Sequence, residues 1–299
     1  MQFENVLVTG AGGLLGGYTV DALIDGYQVS GLDILPAQHD LPHILDSIEN
    51  LDAMRQACAG QDAVVHIAAR PNVWSGAGNE IIHTNVVGTW NVLQAAEEAG
   101  VKRVIVTSSD SVIGFTVFEG AMIPPDSLPV DGSDPRRPTD PYALSKKLCE
   151  ELARSFADRG KLEVVVLRPV YVLYPEFECE VLARAADPIG YNGPAAGGRQ
   201  PAGGGPMWHY VDPRDMARAY RCALEAADPG FGPYFISGPT TLAPEPTVVR
   251  FAEKAGMTPH LRDPAVYNNN PFAPLYDLAA AAEQLGFRAE HDLRRMLYG

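Results

Sequence analysis

The sequence predicts an α/β protein with a doubly wound parallel sheet. In the N-terminal half, short apolar runs rich in valine and isoleucine alternate with segments of helical periodicity, which is the order of strand–helix–strand units. The runs lack the strict polar–apolar alternation of a half-exposed strand, which indicates strands buried on both faces. A glycine-rich turn joins the first run to the first helix, a connection typical of this architecture.

The elements can be placed in order along the chain from these patterns. Strands are predicted at 5–10, 28–33, 62–69, 102–109, 162–169 and 233–238. Helices are predicted at 13–26, near 50–60, at 79–100, from Asp140 onward, at 211–227, near 246–256 and at 276–298. Asp140 and Asp212 each precede a proline, the pattern of an N-cap followed by proline at the first helical position. Four small or apolar residues form the predicted inward stripe of the 211–227 helix: Met216, Ala219, Tyr220 and Ala223.

The first turn has the form of a dinucleotide-binding loop. Gly10, Gly13 and Gly16 lie between the first strand and its helix, where a tight turn and close backbone approach to a pyrophosphate are required. The helix N-terminus supplies N–H groups and positive potential for the phosphates. Asp33 ends the second strand, 17 residues beyond Gly16, and the nearest downstream arginine is Arg55. An acid at this point binds the ribose hydroxyls and repels a 2′-phosphate, so we expect NAD rather than NADP.

The chain is long enough for one large domain with an added lobe. Of its 299 residues, 46% are hydrophobic, which supports a sizeable core. We expect a Rossmann-type NAD-binding domain at 1–169, to which 207–238 returns, and a small substrate-binding lobe from 170–206 and 239–299. The segment 193–206 has six glycines and three prolines. It is interpreted as a mobile loop, with a lid and a plain surface excursion as equal alternatives.

Composition excludes several classes of partner. The net charge of −14 argues against nucleic acid and against an anionic membrane surface. No apolar run approaches the roughly 18 residues that span a bilayer. The histidines do not cluster with cysteines or acids, so no metal site is expected. The cysteines lack CxxC spacing, which suggests free thiols in a reducing cytoplasm; they are Cys58, Cys149, Cys179 and Cys222.

Tyr142 and Lys146 stand four residues apart at the start of a predicted helix, so their side chains share one face. Such a pair is common on solvated helices and has no functional meaning by itself. Together with other motifs, however, it resembles the extended short-chain dehydrogenases/reductases, the NAD-dependent epimerase/dehydratase family. The motifs that carry the resemblance are the glycines at 10, 13 and 16, "HIAA" (66–69), Asn85 in "TNVVGTWNVLQAA", "TSSDSVIG" (107–114) and the Tyr142–Lys146 pair. The resemblance extends from about Val6 to Gly238.

This resemblance implies roles for named residues. Tyr142 would be the general acid/base, and Ser109 would hydrogen-bond the reacting oxygen. Lys146 would bind the nicotinamide ribose and, beside the nicotinamide cation, favour the phenolate of Tyr142. Asp46 would meet the adenine amino group, although as a bare sequence feature it is equally well a helix cap. Further cofactor contacts are expected from Leu14, Leu15, Ser47, Ala68, Ala69 and Asn85, and substrate contacts from Arg70, Ser109, Asp110, Tyr142 and Tyr171. Asn85 and His66 are alternatively satisfied core residues.

Two departures from the family pattern bear on the substrate. Ile113 replaces an aromatic residue, and Tyr171 stands where nucleotide-sugar members have an asparagine that helps to hold the diphosphate. The stretch "SSDSVIGF" (108–115) is similar to uronate dehydrogenases, which oxidise a free sugar acid. These features favour an NAD-dependent dehydrogenase that acts on a sugar-type secondary alcohol.

Two alternatives remain open. One is a nucleotide-sugar epimerase or dehydratase that uses transient oxidation by bound NAD, and the other is a non-catalytic dinucleotide sensor. By analogy with the family we also expect a homodimer in which the helix at 79–100 and the Tyr142 helix pair across the interface. That interface would bury residues such as Val92, Ala96, Leu148 and Leu152.

Overall fold

The computed structural model describes residues 3–115, 121–187 and 205–299. The expected segment 193–206 therefore lies outside the described residues except for its last two positions. Within the described ranges, no helix combines the length and the apolar character needed to cross a membrane.

The described residues form a central parallel sheet of seven strands and a second parallel sheet of two strands. The strands are β1 (Asn5–Thr9), β2 (Gln28–Asp33), β3 (His43–Leu45), β4 (Ala63–His66), β5 (Arg103–Thr107), β6 (Ser127–Leu128), β7 (Glu163–Pro169), β8 (Tyr234–Ile236) and β9 (His260–Leu261). The order in the large sheet is β3-β2-β1-β4-β5-β7-β8, and β6 pairs with β9 in the small one. Because the strand order reverses direction at β1 and β4, the carboxyl ends of the strands form the crevice where such sheets bind ligands.

Helices cover both faces of the large sheet. They are α1 (Leu14–Leu23), α2 (Leu51–Cys58), α3 (Gly78–Ile82), α4 (Gly88–Ala99), α5 (Pro141–Asp158), α6 (Glu178–Ala186), α7 (Pro213–Glu225), α8 (Thr247–Ala255), α9 (Pro264–Asn269), α10 (Ala279–Gln284) and α11 (Arg294–Tyr298). One core, with Val8 and Tyr220, lies on the side of α1 and α7. The other, with Leu7 and Phe156, lies on the side of α2, α4 and α5. Adjacent residues of β1 thus enter opposite cores, which confirms strands buried on both faces.

The fold confirms the predicted α/β class and most of the predicted elements. The four residues of the predicted stripe on α7 are fully buried, and Asp212 caps that helix by accepting from Arg214 N at 2.9 Å. The predicted helix at 276–298 was wrong as one element, because it is two short helices. Gly286, at φ +68°, ends the first of them in a left-handed conformation that continues no helix.

The predicted helix at 79–100 contains an interruption. A π-helical turn at His83–Val87 separates α3 from α4, and π-turns of this kind are frequent at functional sites. Short strands β3, β6 and β9 and helices α6 and α9 were not predicted. The residue limits of the substrate-binding lobe stay a prediction.

Candidate active site

The glycine loop is a tight turn that packs closely against the start of α1 and the end of β4. Gly10 has φ +83°, and a Cβ there would lie 2.8 Å from Ala68 N. A Cβ on Gly16 would lie only 2.0 Å from Gly10 O, so the helix packs against the turn only without a side chain. The N-cap residue Gly13 provides no side-chain cap. The first N–H groups of α1, from Leu14 and Leu15 onward, therefore remain available for an anion.

Asp33 is held at this loop by the backbone. Its Oδ2 accepts a hydrogen bond from Gly12 N and its Oδ1 accepts one from Leu35 N, each at 3.0 Å. The carboxylate thus lies beside the phosphate-binding turn, where a ribose would follow the pyrophosphate. Ile34, next in sequence, is 68% exposed, an apolar surface suited to an adenine ring.

Asp46 lies beyond the neighbouring strand β3. Its Oδ1 accepts from Ser47 N at 2.7 Å and its Oδ2 accepts from Asn50 Nδ2 at 3.0 Å. The cap of α2 is Asn50, whose Oδ1 accepts from Asp52 N and Ala53 N. The alternative interpretation of Asp46 as the helix cap is therefore wrong. Its contact with adenine, and that of Ser47, stay predictions.

Asn85 supports the loop that leaves β4. Its Oδ1 accepts from Arg70 N at 2.7 Å, and its Nδ2 donates to Arg70 O at 3.1 Å and to Ser145 Oγ at 2.8 Å. This buried amide joins the π-turn to α5 and to the segment that contains Ala68 and Ala69. We assign it a positioning role.

The side chain of Arg70 forms its polar contacts with nearby residues of the protein itself. The guanidinium donates to Ser75 O and, at 3.3 Å, to Thr84 Oγ1, and it lies 3.9 Å from a carboxylate oxygen of Glu80. A substrate contact would require exchange of these partners, so the role of Arg70 in substrate binding stays a prediction.

His66 is a satisfied core residue. Its Nδ1 lies 2.8 Å from Thr9 Oγ1 and its Nε2 lies 3.0 Å from Thr89 Oγ1. Burial, with the nearby charge of Lys146, lowers its pKa to about 3. The ring is therefore neutral at physiological pH and ties β4 to β1 and α4.

Tyr142 and Lys146 meet the end of β5 from the first turns of α5. Asp140 caps this helix as predicted, with Oδ1 accepting from Ala143 N at 2.8 Å. Lys146 is buried, and its Nζ donates to Thr107 O at 2.8 Å and lies 5.9 Å from the centre of the Tyr142 ring. Ser109 lies close enough to the phenol of Tyr142 to favour its ionised form. The hydroxyls of Tyr142 and Ser109 thus lie together at the carboxyl edge of the sheet, an arrangement suited to proton transfer.

Burial raises the pKa of Tyr142 above its ordinary value, and the nearby Ser109 hydroxyl only partly opposes this effect. Burial also lowers the pKa of Lys146. The expected lowering of the Tyr142 pKa is therefore not a property of these protein groups alone. It would have to come from the positive charge of the nicotinamide when the cofactor is bound.

Ser109 begins a short 3-10 turn, Asp110–Ile113, directly after β5. Its Oγ accepts from Ser111 N at 3.2 Å and donates to Asp110 Oδ1 at 3.3 Å. Asp110 Oδ2 accepts from the hydroxyl of Tyr276 at 3.0 Å. Burial raises the pKa of Asp110 to about 6. Tyr276 was not predicted, since it lies 166 residues away in a segment where the sequence shows no motif.

A second buried network was also missed. Glu150 on α5 accepts from Ser108 Oγ at 2.6 Å and from Arg168 Nε at 2.8 Å. Both Glu150 and Arg168 are at most 3% exposed in their side chains. The pair joins α5 to the ends of β5 and β7 and so holds the neighbouring Ser109 in place. The only sequence signal was an arginine in the otherwise apolar run "LEVVVLRP".

Tyr171 follows β7 and packs against a separate cluster that includes Trp208 and Tyr210. Burial raises its pKa to about 12. The aromatic side chain is thus packed within this cluster, and its contact with substrate stays a prediction. In the described part of the chain, no group of three or more histidine, cysteine or acidic side chains could hold a metal ion.

The site combines a glycine-rich loop, an acid at the end of the second strand and a Ser–Tyr–Lys group on one sheet edge. This combination defines a dinucleotide-dependent oxidoreductase site. The chain matches the NAD dependent epimerase/dehydratase family over residues 6–236 and belongs to it. NAD is the cofactor of this family, and the residues present fit it. Gly10 and Gly16 allow the tight turn and the close packing of α1 that a pyrophosphate-binding loop requires, and Asp33 is fixed where the ribose would lie.

Individual relatives agree with this assignment. An L-arabinose 1-dehydrogenase (NAD(P)(+)) of Haloferax volcanii is 36% identical over 56% of this chain and 67% of its own length. A uronate dehydrogenase of Pseudomonas syringae is 32% identical over 56% of this chain and 58% of its own length. The matched region is thus only about three-fifths of these proteins.

A solved structure shows the same fold over the whole chain. It is a short-chain dehydrogenase/reductase superfamily protein from Agrobacterium tumefaciens with bound NAD. It superposes with a TM-score of 0.73 at 26% identity, covering 98% of this chain and 95% of its own. The resemblance noted in the sequence is confirmed at the level of family and fold.

Proposed function

We propose that the protein is an NAD-dependent dehydrogenase that oxidises a secondary alcohol of a carbohydrate. The observation that carries this proposal is the position of Tyr142 and Lys146 on α5, with the Lys146 ammonium bound to Thr107 O at the end of β5, on the sheet edge that also bears the glycine loop. Bound NAD supplies the hydride acceptor. Tyr142 Oη takes the hydroxyl proton of the substrate, while Ser109 Oγ fixes the reacting oxygen.

Lys146 has further hydrogen-bond donors that can bind the cofactor. One is donated to Thr107 O at 2.8 Å, and an ammonium carries three. The remaining two can bind ribose hydroxyls, the contact that the family resemblance implies. Because Lys146 is buried and its ammonium is bound to Thr107 O, this donor is already positioned at the strand end in the absence of NAD.

A nucleotide-sugar epimerase or dehydratase is the second candidate, because the family includes both and the same residues would serve them. Two observations favour the dehydrogenase. Tyr171, which packs against the cluster of Trp208 and Tyr210, stands where nucleotide-sugar members would have the asparagine of the family pattern. The two relatives above are named as dehydrogenases of an aldose and of a uronate.

A substrate screen tests the proposal. The purified protein is incubated with NAD and free aldoses, uronic acids or nucleotide sugars, and NADH is followed by absorbance. We expect NADH with a free carbohydrate, and freely exchangeable NAD, because a dehydrogenase releases its reduced cofactor at every turnover. Nucleotide-sugar interconversion without NADH, together with NAD that survives gel filtration, would instead establish the second candidate.

We further propose that the protein works as a homodimer in a reducing cytoplasm, where its four cysteines stay free thiols. The predicted interface needs a correction. Val92 and Ala96 are fully buried in the chain's own core, so they cannot face a partner. The exposed apolar residues of α4, the π-turn and α5 are Trp90, Val87 and Leu144, each about 40% exposed.

A further inference from the structure

A chain of buried hydrogen bonds crosses the protein from β1 to α5. His66 Nδ1 lies 2.8 Å from Thr9 Oγ1, and His66 Nε2 lies 3.0 Å from Thr89 Oγ1. Thr89 Oγ1 lies 3.3 Å from Cys149 Sγ, which lies 3.3 Å from Asn85 O. All five residues are at most 3% exposed. Because they are shielded from bulk water, each proton of the chain should have an acceptor within the protein.

The direction of every bond follows from the end at Asn85. A carbonyl oxygen can only accept, so Cys149 Sγ donates its one proton to Asn85 O. The sulfur can then only accept from Thr89 Oγ1, whose own proton is thereby used. Thr89 Oγ1 must in turn accept from His66, so the proton of the neutral ring lies on Nε2. His66 Nδ1 is left to accept from the hydroxyl of Thr9.

A protonated ring would break this order, because an imidazolium donates from both nitrogens. The hydroxyl proton of Thr9 would then lose its acceptor. Burial and the nearby charge of Lys146 keep the ring of His66 neutral. The chain therefore admits a single form of the ring, the neutral Nε2–H tautomer.

One end of the chain lies at the NAD-binding turn. Thr9 directly precedes Gly10 of the glycine loop, and both its Oγ1 and its backbone O accept from Ala68 N, at 3.4 and 3.1 Å. A Cβ on Gly10 would lie 2.8 Å from the same nitrogen. The ends of β1 and β4 therefore touch at the crevice where a doubly wound sheet binds its cofactor. The orientation of the Thr9 hydroxyl thus helps to set the shape of the turn.

The other end of the chain lies on the helix that carries Tyr142. Ser145 and Cys149 follow Tyr142 at spacings of three and four residues, so the three share one face of α5. Ser145 Oγ donates to Tyr142 O at 2.7 Å and accepts from Asn85 Nδ2 at 2.8 Å. Asn85 thus holds α5 twice, through its side chain at Ser145 and through its carbonyl at Cys149.

We propose that His66 is a positioning residue that, as its Nε2–H tautomer, fixes the NAD-binding turn relative to the helix that carries Tyr142. The part of this inference that concerns turnover rests on the proposed function. A hydroxyl or a thiol can rotate, whereas an imidazole presents its donor and its acceptor in fixed and different directions. The ring therefore holds β4 to β1 and to α4 at the same time.

The first test separates the two ends of the chain. Thr9→Val removes the hydroxyl beside Ala68, so we expect the Kd of NAD to rise about tenfold while kcat at saturating NAD stays within about threefold. Thr89→Val removes the link to α5, so we expect kcat to fall about tenfold while the Kd stays within about threefold. Calorimetric titration measures the Kd, and NADH formation with a carbohydrate substrate measures kcat.

Two further variants show whether these effects belong to this chain. Thr89→Ser keeps the hydroxyl and should retain kcat. Thr247→Val is the matched control, because this threonine at the start of α8 is also buried and its hydroxyl donates to Ala273 O at 2.7 Å. It should lower the urea midpoint, as loss of a buried hydrogen bond does, without a change in Kd or kcat.

Imidazole nitrogen NMR tests the tautomer without any turnover. In protein that carries isotope-labelled histidine, the signal of His66 is assigned by its loss in His66→Gln. It should keep the pattern of an Nε2–H tautomer between about pH 5 and pH 8. Thr89→Val removes the acceptor of this proton, so this variant should lose the single tautomer.

Three results would overturn the inference. They are an Nδ1–H tautomer of His66, a ring that titrates in this pH range, and Thr9→Val and Thr89→Val variants that behave like Thr247→Val. Absence of NADH formation with every carbohydrate would refute the proposed function instead. The tautomer and the NAD affinity of Thr9→Val would then decide the role of His66 separately.

Discussion

At the residue scale, Tyr142 is the group on which turnover should depend most. Tyr142→Phe removes the proton acceptor but keeps the ring, so we expect loss of about 10²–10⁴-fold in kcat with nearly unchanged stability and NAD affinity. Tyr267→Phe, which removes a buried phenol elsewhere, serves as the control. Near-normal turnover in Tyr142→Phe would show that another group moves the proton. Cofactor fluorescence and steady-state kinetics measure the two quantities.

Asp33 should set the choice of cofactor. Its carboxylate is fixed by Gly12 N and Leu35 N, so it cannot turn away from a 2′-phosphate, and the like charges should weaken NADP at least about tenfold relative to NAD. Asp33→Ser combined with Ile34→Arg should narrow the gap, with Asp33→Asn as the isosteric control. Calorimetric titration measures both affinities. Equal affinity of the wild-type protein for NAD and NADP would contradict this prediction.

At the scale of elements, two adjacent glycines of α1 offer a direct test of the turn. A Cβ on Gly16 would clash with Gly10 O at 2.0 Å, whereas a Cβ on Gly17 would meet only the Gln38 side chain at 3.7 Å. Gly16→Ala should therefore displace the helix from the loop and weaken NAD binding. Gly17→Ala should preserve NAD binding and gain up to about 1 kcal/mol from helix propensity. Equal behaviour of the two variants in urea unfolding and NAD titration would refute the packing role of Gly16.

The elements also show what could be predicted from sequence. Six strands of the large sheet, the glycine turn and the caps Asp140 and Asp212 depend on neighbours within a few residues and were predicted, whereas the two- and three-residue strands β3, β6 and β9 were not. The contact of Tyr276 with Asp110 depends on the path of the whole chain. The sequence left the role of Asn85 undecided, between a cofactor contact and a core residue, for a related reason. Its partners Arg70 and Ser145 lie 15 and 60 residues away, and the π-turn that aims its amide has no local composition signal.

At the scale of the whole molecule, buried histidines should make the protein sensitive to acid. Burial lowers the pKa of His66 and of His209 to about 3. The unfolded chain therefore binds protons on both below pH 6.5 while the folded chain does not, and stability falls as pH falls. Between pH 7 and pH 5 the two histidines should lower the free energy of unfolding by about 4 kcal/mol. Asp110, whose pKa is raised in the folded chain, should offset this loss by about 1 kcal/mol.

Urea unfolding at the two pH values measures this loss. His209→Gln keeps an acceptor for Leu275 N, the partner of the His209 ring, and should remove about 2 kcal/mol of the loss, roughly two thirds of the net pH dependence. His260→Gln, a change at an exposed histidine, is the control and should not alter it. A pH-independent free energy of unfolding in the wild-type protein would contradict the buried, neutral state of both rings.

Assembly is the remaining property of the whole molecule. An apolar groove of about 620 Å³, lined by residues that include Val86, Val87 and Leu144, lies where the π-turn approaches α5. Two copies that pair this face would cover it, so we expect light scattering at micromolar concentration to give twice the 32.1 kDa chain mass. Val87→Lys with Leu144→Lys should give a monomer, because two charges would enter the interface. Val249→Lys, at a 58% exposed apolar position on α8, is the matched control and should stay dimeric. A wild-type monomer would refute the dimer, and a dimer that survives the double change would place its interface elsewhere.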